Sequence, residues 1–356
     1  MRVLIITNLF GNNRQGYDLA NALRRKGCRV KLIQFSQTTD VGNGNYGIHY
    51  IRPHGTFSKL HVLWNVLSIA SRSLLGGYER IVCMGAVLLP LAAILKCLHR
   101  AKLVYYSLEY CKYGLAARYI VRRFVDRYID VEECRCEQVF KDLNIKKPFK
   151  IVYNMPPYSN SLFNKGGLRL FLRNHFGLAE DKKIVVYAGS YQKYSCLELI
   201  IKASRGFDPS VVLVLMMSWG VPKDLLIDSS KVFLVPPQSG DTFYEWISEA
   251  DGALLPYESE SDFNVQHCSP QKLFDCYRVG VPYLASSRPL INKIHAIYPD
   301  AGCFCDYTDI KSITDGVNRL IKLKTNSAHE KMISLYSEQF NYTKHEDELY
   351  SFICGG

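Results

Sequence analysis

The sequence has no uncharged run long enough to cross a bilayer. The longest, Ile81 to Leu95, holds 15 residues, contains Gly85 and Pro90, and stops at Lys96, whereas a spanning helix needs about 18–20 apolar residues. It also lacks a secretory leader pattern, because the apolar start Val3 to Ile6 breaks at once into Thr7-Asn8 and then Gly11-Asn12-Asn13. The protein is therefore expected to stay in the cytoplasm. Zinc-knuckle spacing is absent: the twelve cysteines are scattered, and the close pairs Cys134/Cys136 and Cys303/Cys305 are separated by a single residue, too tight for the usual ligand pair. They are expected to be small buried hydrophobes in a reducing compartment, with no metal bound. The chain contains no Asp-x-Asp pair, no internal repeat and no low-complexity tract. No helix-turn-helix, zinc-finger or aromatic RNA-binding signature is present either, so nucleic acid is not an expected partner.

What is there is the composition of an ordinary globular protein, 48% hydrophobic and 22% charged over 356 residues. At about 100–200 residues per domain, that length gives two domains. Charge is unevenly placed. Residues 1–153 hold 24 Lys and Arg against 10 Asp and Glu, and residues 154–356 hold 20 against 23. A basic half suits phosphorylated ligands or anionic lipid. The clusters Arg24-Arg25-Lys26 and Arg118, Arg122, Arg123, Arg127 are equally what solvated helix faces look like. Leu60 to Leu75, with Trp64, reads either as an amphipathic surface helix or as a helix packed on a core.

Short β-branched or apolar runs alternate with helix-length segments, the βαβ pattern of parallel sheets covered on both faces. The first series has strands at Val3–Thr7, Val30–Phe35, Arg80–Gly85, Lys102–Ser107 and Lys150–Tyr153. Its helices fall near Gln15–Lys26, Leu60–Leu75, Val87–Leu98, Leu115–Arg127 and Glu133–Leu143. Asn154-Met155-Pro156-Pro157 followed by Tyr158-Ser159-Asn160-Ser161 marks a linker, taken as residues 154–180. The second series, residues 181–326, has strands at Ile184–Ala188, Val211–Met217, Lys231–Val235, Gly252–Pro256, Val281–Ala285 and Gly302–Phe304. Its helices fall near Ser195–Ser204, Thr242–Glu249, Pro270–Val279 and Asp309–Leu323. Residues 327–356 read as helices expected to return toward the first domain. The fold class is α/β, two doubly wound domains facing a cleft, and such sheets bind ligands beyond the carboxyl ends of their strands.

Three segments could hold a ligand. The first βα turn, Asn8 to Gly16, brings glycines and small polar residues to a helix start, where a backbone can approach a ligand closely. The matching turn of the second series, Tyr187-Ala188-Gly189-Ser190-Tyr191-Gln192-Lys193-Tyr194, offers amides and one cation to a phosphate. The most specific segment runs from Gln266-His267-Cys268-Ser269-Pro270-Gln271-Lys272-Leu273-Phe274-Asp275 to Gly280-Val281-Pro282. Ser269 suits an N-cap and Pro270 the first helical position. Lys272 then falls in the first turn, where a cation opposes the helix dipole unless an anion joins it. Asp275, one turn on, can accept hydrogen bonds from a ribose diol.

Ser269-Pro270-x-Lys272-Leu273-Phe274-Asp275 through Gly280-Val281-Pro282 resembles the Ser-Pro-x-Lys-Leu-Phe-Glu-Tyr-x-x-x-Gly-x-Pro segment of GT-B glycosyltransferases of the family 4 type. The Gly189 turn, the strand end Leu254-Leu255-Pro256-Tyr257 and the Asn154-Met155-Pro156 linker fall where that family has its own, so the resemblance spans nearly the whole chain. It implies two Rossmann-like domains and a nucleotide-diphosphate sugar, most simply a UDP-sugar, held by the second. No separate cofactor is implied. By carry-over, Asp275 takes the ribose, while Lys193, Lys272 and the amides at Ser269 take the diphosphate, beside Gly189, Ser190, Tyr191, Tyr257 and Pro270. Pro236 and Gln238 follow a strand at the place where such enzymes hold the base. The first domain binds the acceptor, with Gly11, Asn12 and Asn13 on that side. Tyr106-Ser107-Leu108-Glu109-Tyr110 corresponds to a segment in which many relatives carry His-Glu; here Leu108 replaces the histidine. The family's paired glutamates, eight positions apart, are His267 and Asp275 in this chain.

The resemblance implies transfer of a sugar to a hydroxyl of a glycan or lipid-diphosphate-linked acceptor in bacterial surface polysaccharide or glycoconjugate synthesis, with retention expected over inversion. Lys193 and Lys272 would stabilise the leaving phosphate without a metal. Glu109 would be the base in an inverting reaction. A basic first domain suits the inner face of an anionic membrane. The alternatives are a non-catalytic nucleotide-sugar-binding subunit and a GT-B sugar-nucleotide epimerase.

Overall fold

The computed structural model describes residues 1–7, 14–35, 48–51, 66–67, 69–110, 115–157, 171–217, 231–236, 238, 240–259 and 261–355. Two compact units emerge from it: residues 1–153 with 345–356, and residues 154–344.

In the first unit the strands are β1 (Arg2–Ile6), β2 (Arg29–Phe35), β3 (Ile48–Ile51), β4 (Arg80–Cys83), β5 (Lys102–Tyr106), β6 (Arg127–Asp130) and β7 (Phe149–Ile151). They form one sheet in the order β3-β2-β1-β4-β5-β6-β7. Every described pairing is parallel. Both faces are covered, which is why the central strands read as unbroken apolar runs. Leu4, Ile6, Ile81, Cys83, Leu103 and Tyr105 pack with Leu88–Leu95, Val121 and Val139 from helices on one side. The helix Arg14–Arg25 buries Leu19, Ala20 and Leu23. Two strands escaped the sequence reading. β3 is a four-residue edge, and β6, Arg-Tyr-Ile-Asp, carries a charge at each end and overlaps the helix expected over Leu115–Arg127 at its first residue.

The last helix, Glu346–Cys354, belongs to this unit. Arg25 donates to Glu346 from Nε at 3.0 Å, Lys26 pairs with Asp347, and Lys150 reaches Glu348 at 2.6 Å. At its other end Arg80 donates to the carbonyls of Ile353 and Cys354, each at 3.0 Å, and Arg127 to that of Phe352. Acids at the helix start and guanidiniums at its last carbonyls both match the macrodipole. Part of the basic surplus read from the sequence is therefore structural counter-charge. With these three acids included, the first unit holds 24 basic against 13 acidic residues, and the second holds 20 of each. The whole net charge of +11 sits on the first unit.

The second unit has β8 (Lys183–Gly189), β9 (Val211–Met217), β10 (Val232–Val235), β11 (Gly252–Leu255), β12 (Tyr283–Ala285) and β13 (Gly302–Phe304), in the parallel order β10-β9-β8-β11-β12-β13. β9 is buried at all seven positions, as its uninterrupted Val-Val-Leu-Val-Leu-Met-Met predicts. Helices Leu197–Ser204 and Ile310–Leu320 pack on one face. On the other lie Gly240–Ser248 and a helix the sequence reading placed in the linker, Phe171–Phe176. The strand order reverses between β8 and β11, so this sheet has its own switch point, the usual place for a ligand. The helix Asn326–Glu338 stays in this unit. Tyr336 at the helix's third turn donates to the carbonyl of Pro157 at 2.8 Å, and the amide of Tyr342 to that of Pro156 at 3.0 Å.

All eleven described cysteines are free. Cys28, Cys83, Cys136 and Cys276 are buried as expected, but Cys97 and Cys134 are exposed, so burial does not account for every cysteine.

Candidate functional site

The segments that follow β8 and β11 meet at the switch point of the second sheet. The helix Gln271–Val279 begins one residue later than the sequence suggested. Pro270 is its N-cap, in extended conformation at φ −73°, and no side chain caps it. Ser269 does other work. Its Oγ accepts from the amide of Asn154 at 2.9 Å and its carbonyl from Asn154 Nδ2 at 3.0 Å, which ties the linker to the helix start. Both Ser269 and Pro270 are buried. The first-turn amides are thus left without a side-chain acceptor, a positive end suited to an anion.

Lys272 sits in that first turn, and its ammonium lies 4.5 Å from the centroid of the Tyr187 ring and 5.5 Å from that of Tyr257. Among the described residues no carboxylate forms an ion pair with it. Burial pushes its pKa down from 10.5 to about 8, while the charge of Asp275 pulls the other way. Gly189 explains how the ammonium fits: a Cβ there would stand 2.6 Å from Lys272 Nζ and 3.0 Å from Tyr187 Oη. The glycine serves the lysine as much as any ligand. Tyr187 Oη is anchored on the carbonyl of Ser190 at 2.8 Å.

Tyr257 is buried, with its amide donating to Ser286 Oγ at 2.9 Å and its ring stacked on Tyr194 at 5.9 Å and 11°. It touches the ligand region through Lys272, as part of the cation's cage. Lys193 is placed differently from Lys272. It is exposed in a single 3-10 turn and lines an open cleft of about 1130 Å³ with Tyr194, Glu258, Asp262, Arg288 and Asp306, a cleft that neither Lys272 nor Asp275 lines. Tyr191 lies beside that turn and donates to Glu198 at 2.7 Å.

Asp275 is buried. Its Oδ1 accepts from Tyr244 Oη at 2.8 Å and its Oδ2 from Gln271 Nε2 at 3.4 Å. His267 is half-buried at the end of the short helix Phe263–Gln266, its ring 4.4 Å from that of Phe263. Pro236 is exposed just past β10, and Gln238 Nε2 donates to its carbonyl at 3.0 Å. Gly11, Asn12 and Asn13 lie outside the described residues.

In the first unit, Glu109 is exposed in the turn after β5. What holds that turn is a pair the sequence reading missed. Arg135 Nε donates to Asp130 Oδ1 at 2.7 Å, and its two Nη atoms reach the carbonyls of Leu108 at 2.8 Å and Ser107 at 3.0 Å. Both side chains are buried. A charge at the end of a short strand and another one turn into the next helix was the available signal, and it looked like surface.

No protein-family profile and no curated protein matches the chain. Solved structures do. HepE of Anabaena, in complex with UDP and glucose, is 15% identical with a TM-score of 0.73, covering 99% of this chain and 98% of that one. Sucrose-phosphate synthase of Thermosynechococcus elongatus is 13% identical with a TM-score of 0.72, covering 98% of both. WaaG, a glycosyltransferase involved in lipopolysaccharide biosynthesis, is 14% identical with a TM-score of 0.68, covering both chains completely. The chain shares their GT-B fold, two Rossmann-like α/β domains, along its whole length.

Proposed function

We propose that the protein is a glycosyltransferase that takes its sugar from a nucleoside diphosphate sugar held by the second unit. The observation that carries this reading is Lys272: a cation caged by two tyrosine rings at an uncapped helix start, beside the buried Asp275. Cleaving the glycosyl–phosphate bond puts negative charge on the leaving diphosphate, and a fixed ammonium with helix amides stabilises charge that develops there. Lys193, solvent-exposed, would supply a second cation to the leaving diphosphate. UDP is the nucleotide favoured, since HepE binds it with glucose, and neither the fold nor these cations call for a metal. Retention is the preferred outcome, with Glu109 as base if the reaction inverts. The test is a thermal-shift screen of nucleoside diphosphates and their sugars. One nucleotide, UDP by this reading, raises the melting temperature of the wild type. Asp275→Ala removes most of that rise; a shift from no nucleotide would end the donor-site assignment.

The acceptor proposed is a lipid-linked diphosphate or glycan of surface polysaccharide synthesis, met at an anionic cytoplasmic membrane face. Support comes from the first unit. Its helix Leu115–Phe124 has no acidic residue and turns Leu115, 87% exposed, and Tyr119, 61% exposed, outward beside Arg118 and Arg123. Exposed apolar and basic side chains on one face are what an anionic interface holds. Replacing Arg118 and Arg123 with glutamine is expected to cut binding to phosphatidylglycerol vesicles by about thirtyfold at low salt, at roughly 1 kcal/mol per charge. Equal sedimentation of variant and wild type with vesicles would refute the membrane reading and leave the donor site untouched.

A further inference from the structure

The aromatic ring that holds Asp275 comes from another helix, and nothing in its local sequence singles it out. Tyr244, in the helix Gly240–Ser248, is 5% exposed, and its hydroxyl donates to Asp275 Oδ1 at 2.8 Å. Against its ring lies a buried cation, the guanidinium of Arg278 at 3.6 Å from the centroid. Arg278 is 3% exposed, its Nε has no hydrogen-bond partner among the described residues, and one Nη lies 3.9 Å from Asp241 Oδ1. A buried guanidinium left partly unsatisfied is costly. What it gains here is the face of one tyrosine. A cation on a π face draws electron density from the ring and holds the ring in place, which makes the phenol a better and better-aimed donor. Asp275, one methylene shorter than a glutamate, reaches less far and swings on fewer bonds, so its direction depends on what grips it.

We propose that Tyr244, backed by Arg278, is the positioning residue for the ribose contact: it fixes the Asp275 carboxylate so that Asp275 can accept from the ribose hydroxyls of the bound nucleotide. The proposal rests on the reading of Asp275 as the ribose acceptor. Tyr244 itself need not touch the ligand, and it acts through the carboxylate alone. A merely structural tyrosine would affect every ligand of the unit alike, whereas a positioning tyrosine matters only to ligands that carry the hydroxyls.

The experiment measures dissociation constants for UDP and for 2′,3′-dideoxy-UDP with wild type, Tyr244→Phe, Arg278→Gln and Asp275→Ala. The wild type is expected to prefer UDP, and Asp275→Ala to lose that preference. Tyr244→Phe is expected to weaken UDP about tenfold, the size of one hydrogen bond to a charged group, and to leave the dideoxy compound unchanged. Arg278→Gln, which keeps the hydroxyl, is expected to give the same pattern at about threefold and serves if Tyr244→Phe does not fold. Equal weakening of both ligands, or no weakening of UDP by either variant while Asp275→Ala still abolishes the preference, would overturn the positioning role. A wild type that binds both compounds equally, or neither, would instead defeat the assignment of Asp275, and the inference with it.

Discussion

Lys272→Met is expected to lower sugar transfer by about a hundredfold to a thousandfold, the loss seen when one preorganised donor to a developing anion is removed, without lowering the melting temperature. The second half of that expectation is the sharper one. A surface lysine contributes little to stability and its loss is neutral. Lys272, by contrast, pays for its burial. Its pKa is pushed down to about 8 from 10.5, so between those values the unfolded chain binds more protons than the folded one and stability rises with pH. Below about pH 8 the full cost is present. Lys272→Met removes it, and the variant is expected to match or exceed the wild type at pH 7 and to lack the rise above pH 8. Ligand binding follows the same linkage. A bound diphosphate favours the charged amine and raises its pKa. The affinity for UDP is therefore expected to hold level from pH 7 to about 8 and then to fall, by up to tenfold per pH unit, until the pKa of the complex is reached. Titration calorimetry in buffers of different ionisation enthalpy would show the proton taken up. A pH-independent affinity would mean that Lys272 does not meet the phosphates.

Arg135→Met is expected to destabilise the first unit by about 3–5 kcal/mol, because it leaves Asp130 as an uncompensated buried charge. It also leaves the carbonyls of Ser107 and Leu108 without their donors. For a unit of this size the melting temperature would drop on the order of 10 °C. The double variant Asp130→Asn with Arg135→Met is expected to recover part of that loss, since the charge is gone while the carbonyls remain unpaired. A loss under about 1 kcal/mol in Arg135→Met, read from urea denaturation, would show that the pair is not what holds the turn carrying Glu109.

Most of the fold could be read from local pattern. β9 and the other central strands are covered on both faces, and that environment writes itself into the chain as unbroken apolar runs bounded by turns. What was missed lay where tertiary context outweighs local signal. β3 is a four-residue strand at the sheet edge, and β6 is four residues long with a buried acid at its end. The site divides in the same way. Lys272 and Asp275 were legible because a lysine in a first turn conflicts with the helix dipole, and a conflict calls for a reason. Ser269 suits an N-cap by its sequence position, but its partner is Asn154, 115 residues away, and no helix-capping rule could give that. Gly189 was read as room for a phosphate, whereas the structure fills that room first with the ammonium of Lys272. Tyr244, Arg278, Asp130 and Arg135 act through contacts between elements distant in sequence, so their pattern was that of ordinary helix and strand residues.

The most direct test of the account is donor turnover: the purified protein incubated with UDP-glucose and other UDP-sugars, with release of free sugar and UDP followed by NMR, beside Lys272→Met. With no acceptor added, transfer to water is the turnover followed. The account predicts release from one donor by the wild type and a loss of about a hundredfold or more in the variant. A wild type that binds the same donor and leaves it intact would contradict catalysis, and would make the chain a nucleotide-sugar-binding subunit instead.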